Sequence, residues 1–527
     1  STCYGKPMLI LRQLLSFALI HLLLLSHTFA EPLTRAEIDK LVENAMAEFD
    51  VPGIAVGIIS GDELVHLEGY GLRELGKKAK VNKDTVFKVA SNSKAFTTAA
   101  LAILVDKGKL SWQTKVNDVI PEFRLSDAWV SSEINVLDLL THRSGMNAGA
   151  GDLMLWPEPN KFTRANIIYG LRHFDLVKQF RSEYAYDNLL YIVAGELIPR
   201  TTGLEWREFV DQNIMQPLQL KNCFAGAMSD KARRNLAAPH GLVNDKLVVI
   251  ERSRINDAVS NMAAAGAVRC SAADMTTWMK ILLKEGEISA GKRLYSKQQA
   301  EQMWRSHIQR RVGSFEREWG STHFNSYGLG WRISDVYGYK QLSHTGSLAG
   351  FRSYMTLVPE LDLGVVVLTN GSSSMARKAV MYSLVRAYMT DENIDWTAEL
   401  IKSQQAYIST ALPEPMLAFK VPEEALANEI VGLYVDPWFG EVDIAREQGK
   451  LVLRSAMSPI LTGELEYLDD TVFVVKWFDR TLEADAYVRF ERDFEGRISS
   501  VKMQAVSSET DSSFDFHDLD FKPVAGE

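Results

Sequence analysis

The sequence predicts a mixed α/β domain followed by a small all-β domain. The α/β part is expected to be an antiparallel sheet flanked by helices, with an all-helical subdomain beside it. The C-terminal part is expected to be a barrel-like set of antiparallel strands. Three observations lead there. Strand-like and helical runs occur at both ends of residues 31–390 and enclose a helical middle, so one sheet is assembled from both ends with a helical insertion packed beside it. From Glu429 the texture changes to period-two apolar alternation. A length of 527 residues exceeds that of one typical domain.

Taken in order, residues 1–30 read as a secretory leader. Lys6 and Arg12 precede the apolar stretch from Leu14 to Leu25, and Thr28-Phe29-Ala30 puts small residues at the −3 and −1 positions of a cut after Ala30. His21 interrupts the stretch, which is short for a bilayer span. The expectation is therefore a secreted or periplasmic protein with no stable membrane insertion after cleavage. Residues 34–50 form an amphipathic helix through Ile38, Leu41, Val42, Ala45, Met46 and Phe49, ended by Pro52-Gly53. Ile54–Ile59 and Glu63–Glu68 are strands around the turn Ser60-Gly61-Asp62. Val86–Ala90 reads as a strand, and Ala95–Lys107 as a buried helix closed by Gly108. Residues 112–330 are mostly helical patches between loops rich in Gly, Asn and Pro. Gln341–His344, Phe351–Val358 and Gly364–Thr369 are strands again, followed by a helix over Met375–Tyr388. Residues 391–425 read as a linker with a short helix near Thr397–Tyr407. Over 426–527, segments such as Val442-Asp443-Ile444, Val472-Phe473-Val474-Val475 and Tyr487-Val488-Arg489-Phe490 alternate between turns at Gln448-Gly449, Asp469-Asp470 and Glu495-Gly496, the pattern of a small barrel or sandwich.

A net charge of −9, with no basic stripe interleaved with aromatics, argues against nucleic acid and anionic membrane surfaces as partners. The ten histidines are scattered and no H-E-x-x-H occurs, so no metal site is expected. Of three cysteines, Cys3 lies in the leader. Cys223 and Cys270 can pair in an oxidising compartment, but two cysteines make no framework, and small core residues is the preferred reading.

The chemistry centres on Ser91-Asn92-Ser93-Lys94, between the strand at Val86–Ala90 and the buried helix. A serine at a helix start sits where backbone N–H groups are unpaired and the dipole is positive. Lys94 lies one turn on, on the same face, within reach of the hydroxyl. A nucleophile, an amine and a positive helix end suit acyl transfer. Ser-x-x-Lys occurs three times, also at Ser289/Lys292 in a turn and at Ser499/Lys502 in a strand, and only the first copy has the strand-to-helix setting. An ordinary capping serine with a solvated lysine has the same spacing.

Three further segments bear on it. Tyr186-Asp187-Asn188 precedes a helical run and can present a phenol and an amide into one cleft; a half-buried aromatic with a capping Asn fits equally. Ser343-His344-Thr345-Gly346-Ser347 puts a glycine after a polar pair where a substrate backbone can lie along a strand, with His344 expected to point into the cleft. Leu139-Leu140-Thr141-His142-Arg143-Ser144-Gly145 runs from a helix into a loop that His142 holds by hydrogen bonding rather than by chemistry.

The order of these motifs resembles the serine beta-lactamase-like hydrolases, the family of class C beta-lactamases, D-Ala-D-Ala carboxypeptidases, D-aminopeptidases and related esterases. The resemblance covers about residues 34–390 and extends to Tyr327-Gly328-Leu329-Gly330-Trp331, to Ala263-Ala264-Ala265-Gly266 and to Leu368-Thr369-Asn370-Gly371. The C-terminal segment resembles the lipocalin-like β domain appended to some members. The resemblance implies a beta-lactamase-like fold and a secreted serine hydrolase that needs no cofactor. It implies that Ser91 is acylated, that Lys94 and Tyr186 move its proton with either as the base, and that Asn188, His344, Gly346 and Ser347 bind substrate. Backbone N–H groups of Ser91 and Ser347 would form the oxyanion hole. The implied partner is a small-molecule or peptide substrate carrying an amide, ester or lactam; self-association into a homo-oligomer is left open. A binding or assembly protein that keeps the fold without turnover is the alternative. Many penicillin-recognising members carry Lys-Thr-Gly where this chain has His344-Thr345-Gly346. Histidine is mostly neutral near pH 7, which sets lactam antibiotics in doubt as the natural substrate and favours the esterase and aminopeptidase branches.

Overall fold

A computed structural model describes residues 32–258, 260–410 and 416–524. The leader expected over residues 1–30, with Cys3, lies outside the described residues. Among the described residues no helix is long and apolar enough to cross a membrane.

The first domain is built on an eight-stranded sheet. Its strands are β1 (Gly53–Ser60), β2 (Glu63–Gly71), β3 (Ile308–Gln309), β4 (Asn325–Tyr327), β5 (Arg332–Val336), β6 (Tyr339–Leu348), β7 (Phe351–Val358) and β8 (Leu363–Thr369), in the spatial order β3-β4-β5-β6-β7-β8-β1-β2, each antiparallel to its neighbour. The chain thus closes its sheet by pairing β1 with β8, Val56 opposite Val367. β8 is buried throughout and β1 everywhere but Ser60, which is why they read as near-continuous apolar runs. Ile54, Val56, Ile58, Val365 and Val367 pack into one layer with helices α1 (Arg35–Glu48), α5 (Ser374–Arg386) and α6 (Trp396–Thr410). Ala55, Val366 and Leu368 pack into the other, with α2 (Ser93–Asp106) and α4 (Ala272–Leu283). Thr34 starts α1 as a capping box with Glu37, satisfying donors the first turn would otherwise leave open.

The sequence reading finds β1, β2, β7, β8, α1, α2 and α5 and misses β3, β4 and β5. Those three are 2, 3 and 5 residues long, too short for a period to declare itself. The middle of the domain is helical as expected, with α3 (Leu189–Thr202) at its heart, but it also holds a three-stranded sheet. In that sheet Val86–Lys88 and Cys223–Phe224 flank Arg269–Ser271, and a disulfide joins Cys223 to Cys270. Both cysteines are buried, so the preferred reading as small core residues describes their environment and misses the bond.

Residues 432–523 form a closed eight-stranded antiparallel barrel, completed where Tyr434 pairs with Pro523. It is fastened to the helical region by Trp438 against Phe174 (ring centroids 4.9 Å), Phe439 against Phe162 (5.8 Å) and the Arg252–Asp479 ion pair (3.0 Å). Trp396 and Leu400 of α6 are buried against the first domain, so this helix belongs to its α1–α5 layer.

Candidate active site

Ser91 stands in a tight turn between the strand Val86–Lys88 and α2. Residues Ala90–Asn92 make one 3-10 turn, and Ala90 carries a φ of 49°, a left-handed conformation that an alanine adopts only when its surroundings insist. The insistence comes from three side chains. Asn92 Nδ2 donates to Ser353 Oγ (2.7 Å), Ser353 Oγ donates to Val89 O (2.7 Å), and Ser93 Oγ accepts from Val268 N (2.9 Å). Gly346 completes the support. A Cβ there would meet Val89 O at 2.3 Å and Ala90 Cβ at 2.9 Å, so only glycine lets β6 lie against this turn.

The geometry gathers the sequence candidates. Lys94 Nζ lies 3.2 Å from Ser91 Oγ, and Tyr186 OH donates to the same oxygen at 2.9 Å. Ser91 and Tyr186 are partly exposed, whereas Lys94 is fully buried. Lys94 Nζ also donates to Asn188 Oδ1 (2.7 Å) and to Ala265 O (3.1 Å). Burial lowers the Lys94 ammonium to about 7, against the pull of Asp152 and Asp187. Burial raises the Tyr186 phenol above its ordinary range despite its bond to Ser91, so near neutrality it keeps its proton.

His344 is buried rather than presented to an open cleft. Its Nε2 pairs with Tyr327 OH (2.9 Å), its Nδ1 pairs with Thr345 O (2.7 Å), and its ring centroid is 6.1 Å from that of Tyr186. Burial, helped by Arg332 and Lys94, holds it well below the usual histidine range, so it is neutral. Ser347, three residues on in β6, is exposed and faces Arg352 across the ladder. His142 keeps the structural place expected of it. Its Nδ1 accepts from Asp187 N (3.0 Å), and its ring lies among Tyr184, Tyr186, Tyr191 and Tyr327 at 4.4 to 5.6 Å between centroids.

Sequence reasoning missed a buried carboxylate chain behind Asn188. Asn188 Nδ2 donates to both oxygens of Asp152 (3.2 and 3.0 Å). The loop carrying Asp152 is held by Gly149 N to Tyr186 O (2.8 Å) and, from the barrel, by Asp515, whose oxygens accept from Gly151 N (2.7 Å) and Leu153 N (2.9 Å). Gly151 has a φ of 79°, and a Cβ there would strike Leu189 Cδ1 at 2.3 Å. Burial raises Asp152 and Asp515 well above the ordinary carboxylate range and pushes Asp187 up to about 7. These partners come from segments 36 and 364 residues away in sequence, and no local pattern announces them. The segment Ala263–Gly266 was part of the motif pattern; its task, supplying the Ala265 carbonyl to Lys94, appears only in three dimensions. Ala263 and Ala267 also line a polar cavity of about 620 Å³ whose wall includes Lys88, Glu158, Arg252 and Ser260. Among the described residues no group of three His, Cys, Asp or Glu side chains is arranged to hold a metal ion.

This arrangement sits in a fold with known relatives. The chain is similar to "Unguisins hydrolase ungD'" of Aspergillus campestris, at 26% identity over 79% of this chain and 78% of that protein. It is similar to "Protein flp" of Staphylococcus aureus, at 23% identity over 66% of this chain and 65% of that one. Among solved structures, it matches the octameric penicillin-binding protein homologue from Pyrococcus abyssi with a TM-score of 0.57, at 19% identity over 93% of this chain and all of that one. It matches a class C beta lactamase from Rhodobacter sphaeroides with a TM-score of 0.53, at 20% identity over 69% of this chain and 99% of that one. Residues 420–523 match a domain of unknown function, DUF3471. The Beta-lactamase family model matches residues 38–389, the span that holds Ser91, Lys94, Tyr186, Asn188 and His344, and the chain belongs to that family.

Proposed function

We propose that the protein is a secreted or periplasmic serine hydrolase that forms an acyl-enzyme on Ser91 and hydrolyses an amide, ester or small peptide bond. The observation that carries this reading is the convergence of two proton-moving groups on one hydroxyl, Lys94 Nζ at 3.2 Å and Tyr186 OH at 2.9 Å. Relatives named as hydrolases and as a beta-lactamase support hydrolysis in general; the serine chemistry and the substrate class rest on the geometry and on the family likeness.

Hydrogen-bond arithmetic favours Lys94 as the base. A neutral amine has two N–H groups and one lone pair. Asn188 Oδ1 and Ala265 O take the two N–H groups, which leaves the lone pair for the Ser91 proton. Tyr186 then acts as a protonated phenol that donates to Ser91 Oγ. In the first step the Ser91 proton passes to Lys94 as Oγ bonds to the substrate carbonyl carbon, whose oxygen takes the negative charge. The bond to the leaving group then breaks. That group receives a proton from Lys94, directly or through Tyr186. In the second half water attacks the ester, gives its proton to the same pair, and Ser91 is released. The N–H groups of Ser91 and Ser347 are assigned to the oxyanion, a role worth about 3 kcal/mol per donor in comparable sites. No metal or organic group enters this scheme.

A neutral His344 fits the same assignment. His344 itself brings no fixed charge to that position, and the Arg332 guanidinium eases the Tyr186 phenol downward without overcoming burial; the absence of a lysine at residue 344 favours uncharged esters and amides over lactam antibiotics. An active-site phosphonate or penicillin probe, read by intact-protein mass spectrometry, tests the reading. One adduct on Ser91 is expected, and none in Ser91→Ala; an adduct that survives this substitution removes the assignment.

A further inference from the structure

On the far side of β6 from Ser91, between the sheet and α5, lies a cavity of about 330 Å³ walled by Arg310, Arg332, Arg377, Lys378 and Arg386. The same wall holds one carboxylate, Glu316, whose oxygens are occupied by Gly313 N (2.6 Å) and Asn325 Nδ2 (3.1 Å). None of the five cations takes part in the ion pairs formed among the described residues. Two of them are buried, Arg377 and Arg386 at 8% and 7% exposed, and Arg310, Arg332 and Lys378 are half-buried.

Buried cations without counter-ions are costly, and the chain meets part of that cost internally. The Arg386 guanidinium rests 4.0 Å from the Trp396 ring and 4.2 Å from Tyr382, and Lys378 Nζ lies 4.2 Å from Phe315. Arg377 donates to Gly346 O and to Ser353 O (3.0 Å), and Arg332 donates to Thr345 Oγ1 (2.9 Å). Three buried nitrogens are left over. Arg310 Nε, Arg332 Nε and Arg386 Nη1 have no acceptor among the described residues. Native proteins leave few such groups unpaired, and here three belong to residues of one cavity wall.

We infer that this cavity is a binding site for a small oxyanion bearing two or more negative charges, a phosphate group or a di- or tricarboxylate. Guanidinium forks match the oxygens of both. The volume suits such a ligand, since a bound water occupies about 30 Å³. The inference stands apart from the acyl-enzyme reading, because no residue of the cavity touches Ser91 and the site can be read by binding alone.

Isothermal titration of the full chain with sodium phosphate, sodium citrate and sodium chloride at matched ionic strength tests it. Saturable binding of phosphate or citrate is expected, and none of chloride. Tighter phosphate assigns a phosphorylated ligand, tighter citrate a polycarboxylate. Arg386→Gln should weaken binding about tenfold or more, the scale of one charged hydrogen bond, with probe labelling of Ser91 unchanged. Lys378→Gln, at a partly exposed position, should weaken it as well and decides the matter if Arg386→Gln does not fold. Absence of saturable binding at about 10 mM ligand, binding of chloride equal to that of the oxyanions, or undiminished affinity in Lys378→Gln would each overturn the inference.

Discussion

The two sides of strand β6 use burial to opposite ends. On one side His344 faces Tyr327 and Tyr186, and burial presses the groups around Ser91 toward their neutral forms: His344 and Lys94 downward, the Tyr186 phenol and Asp152 upward. On the other side Thr345 meets Arg332, and the arginines beyond it stay charged, because a guanidinium holds its proton even when burial brings Arg377 down to about 9. Adjacent residues of a strand point to opposite faces, so one residue step separates a neutral compartment that can move protons from a cationic one that can hold an anion. Residue type decides what desolvation does: lysine and histidine yield their charge, and arginine must find a partner.

The largest test of this contrast falls on the neutral side. Lys94→Ala and Tyr186→Phe should each slow acylation of Ser91 by about 100-fold or more, measured as the rate of adduct formation by mass spectrometry. Near-normal rates would contradict the roles given to both. A second test reads the pH dependence. Burial depresses the Lys94 pKa to about 7, and in the proposed scheme the base is the deprotonated amine. The kcat/KM for an uncharged ester should therefore rise with pH along a limb centred near 7 and level off above it. A limb centred near 10 would instead point to an ordinary lysine or an ionised phenol. Because Lys94, Asp152 and Asp187 influence one another, the limb belongs to the set rather than to one residue.

A smaller effect is expected from the barrel. Asp515 holds the loop that positions Asp152, which orients Asn188 against Lys94. Asp515→Ala should lower the acylation rate by about tenfold, the order of the two backbone hydrogen bonds lost at a distance from the chemistry, with KM for a small ester little changed. A rise in KM alone would assign the barrel to substrate contact instead. The smallest change in chemistry should come from the cationic side. Arg377→Met deprives Gly346 O and Ser353 O of their donor. It should cost about 1–3 kcal/mol in denaturant unfolding while Ser91 remains open to labelling. Loss of labelling as complete as in Ser91→Ala would mean that the two sides of β6 are not separable.

The centre of the candidate site was legible because its parts are local. Ser91 and Lys94 are three residues apart at a strand-to-helix junction, and Tyr186 and Asn188 are two apart before α3. The period-two alternation after Glu429 likewise announced the barrel strands, since each buries one face. Burial of His344 was not legible: its neighbours Tyr327 and Tyr186 come from β4 and from the helical region, and no pattern within Ser343–Ser347 records them. The cationic cavity was equally hidden. Its five residues spread from 310 to 386 and read one by one as ordinary surface charges.

What the sequence determined alone is most of the longer elements and the pairing of Ser91 with its nearest amine, because periodicity and three-residue spacing are carried by consecutive residues. What the tertiary structure decided is the charge state of that amine, the burial of His344 and the grouping of unpaired arginines. Each depends on how much water is excluded and which distant carboxylate, carbonyl or ring takes its place, and those quantities exist only once the sheet has closed and the barrel has docked.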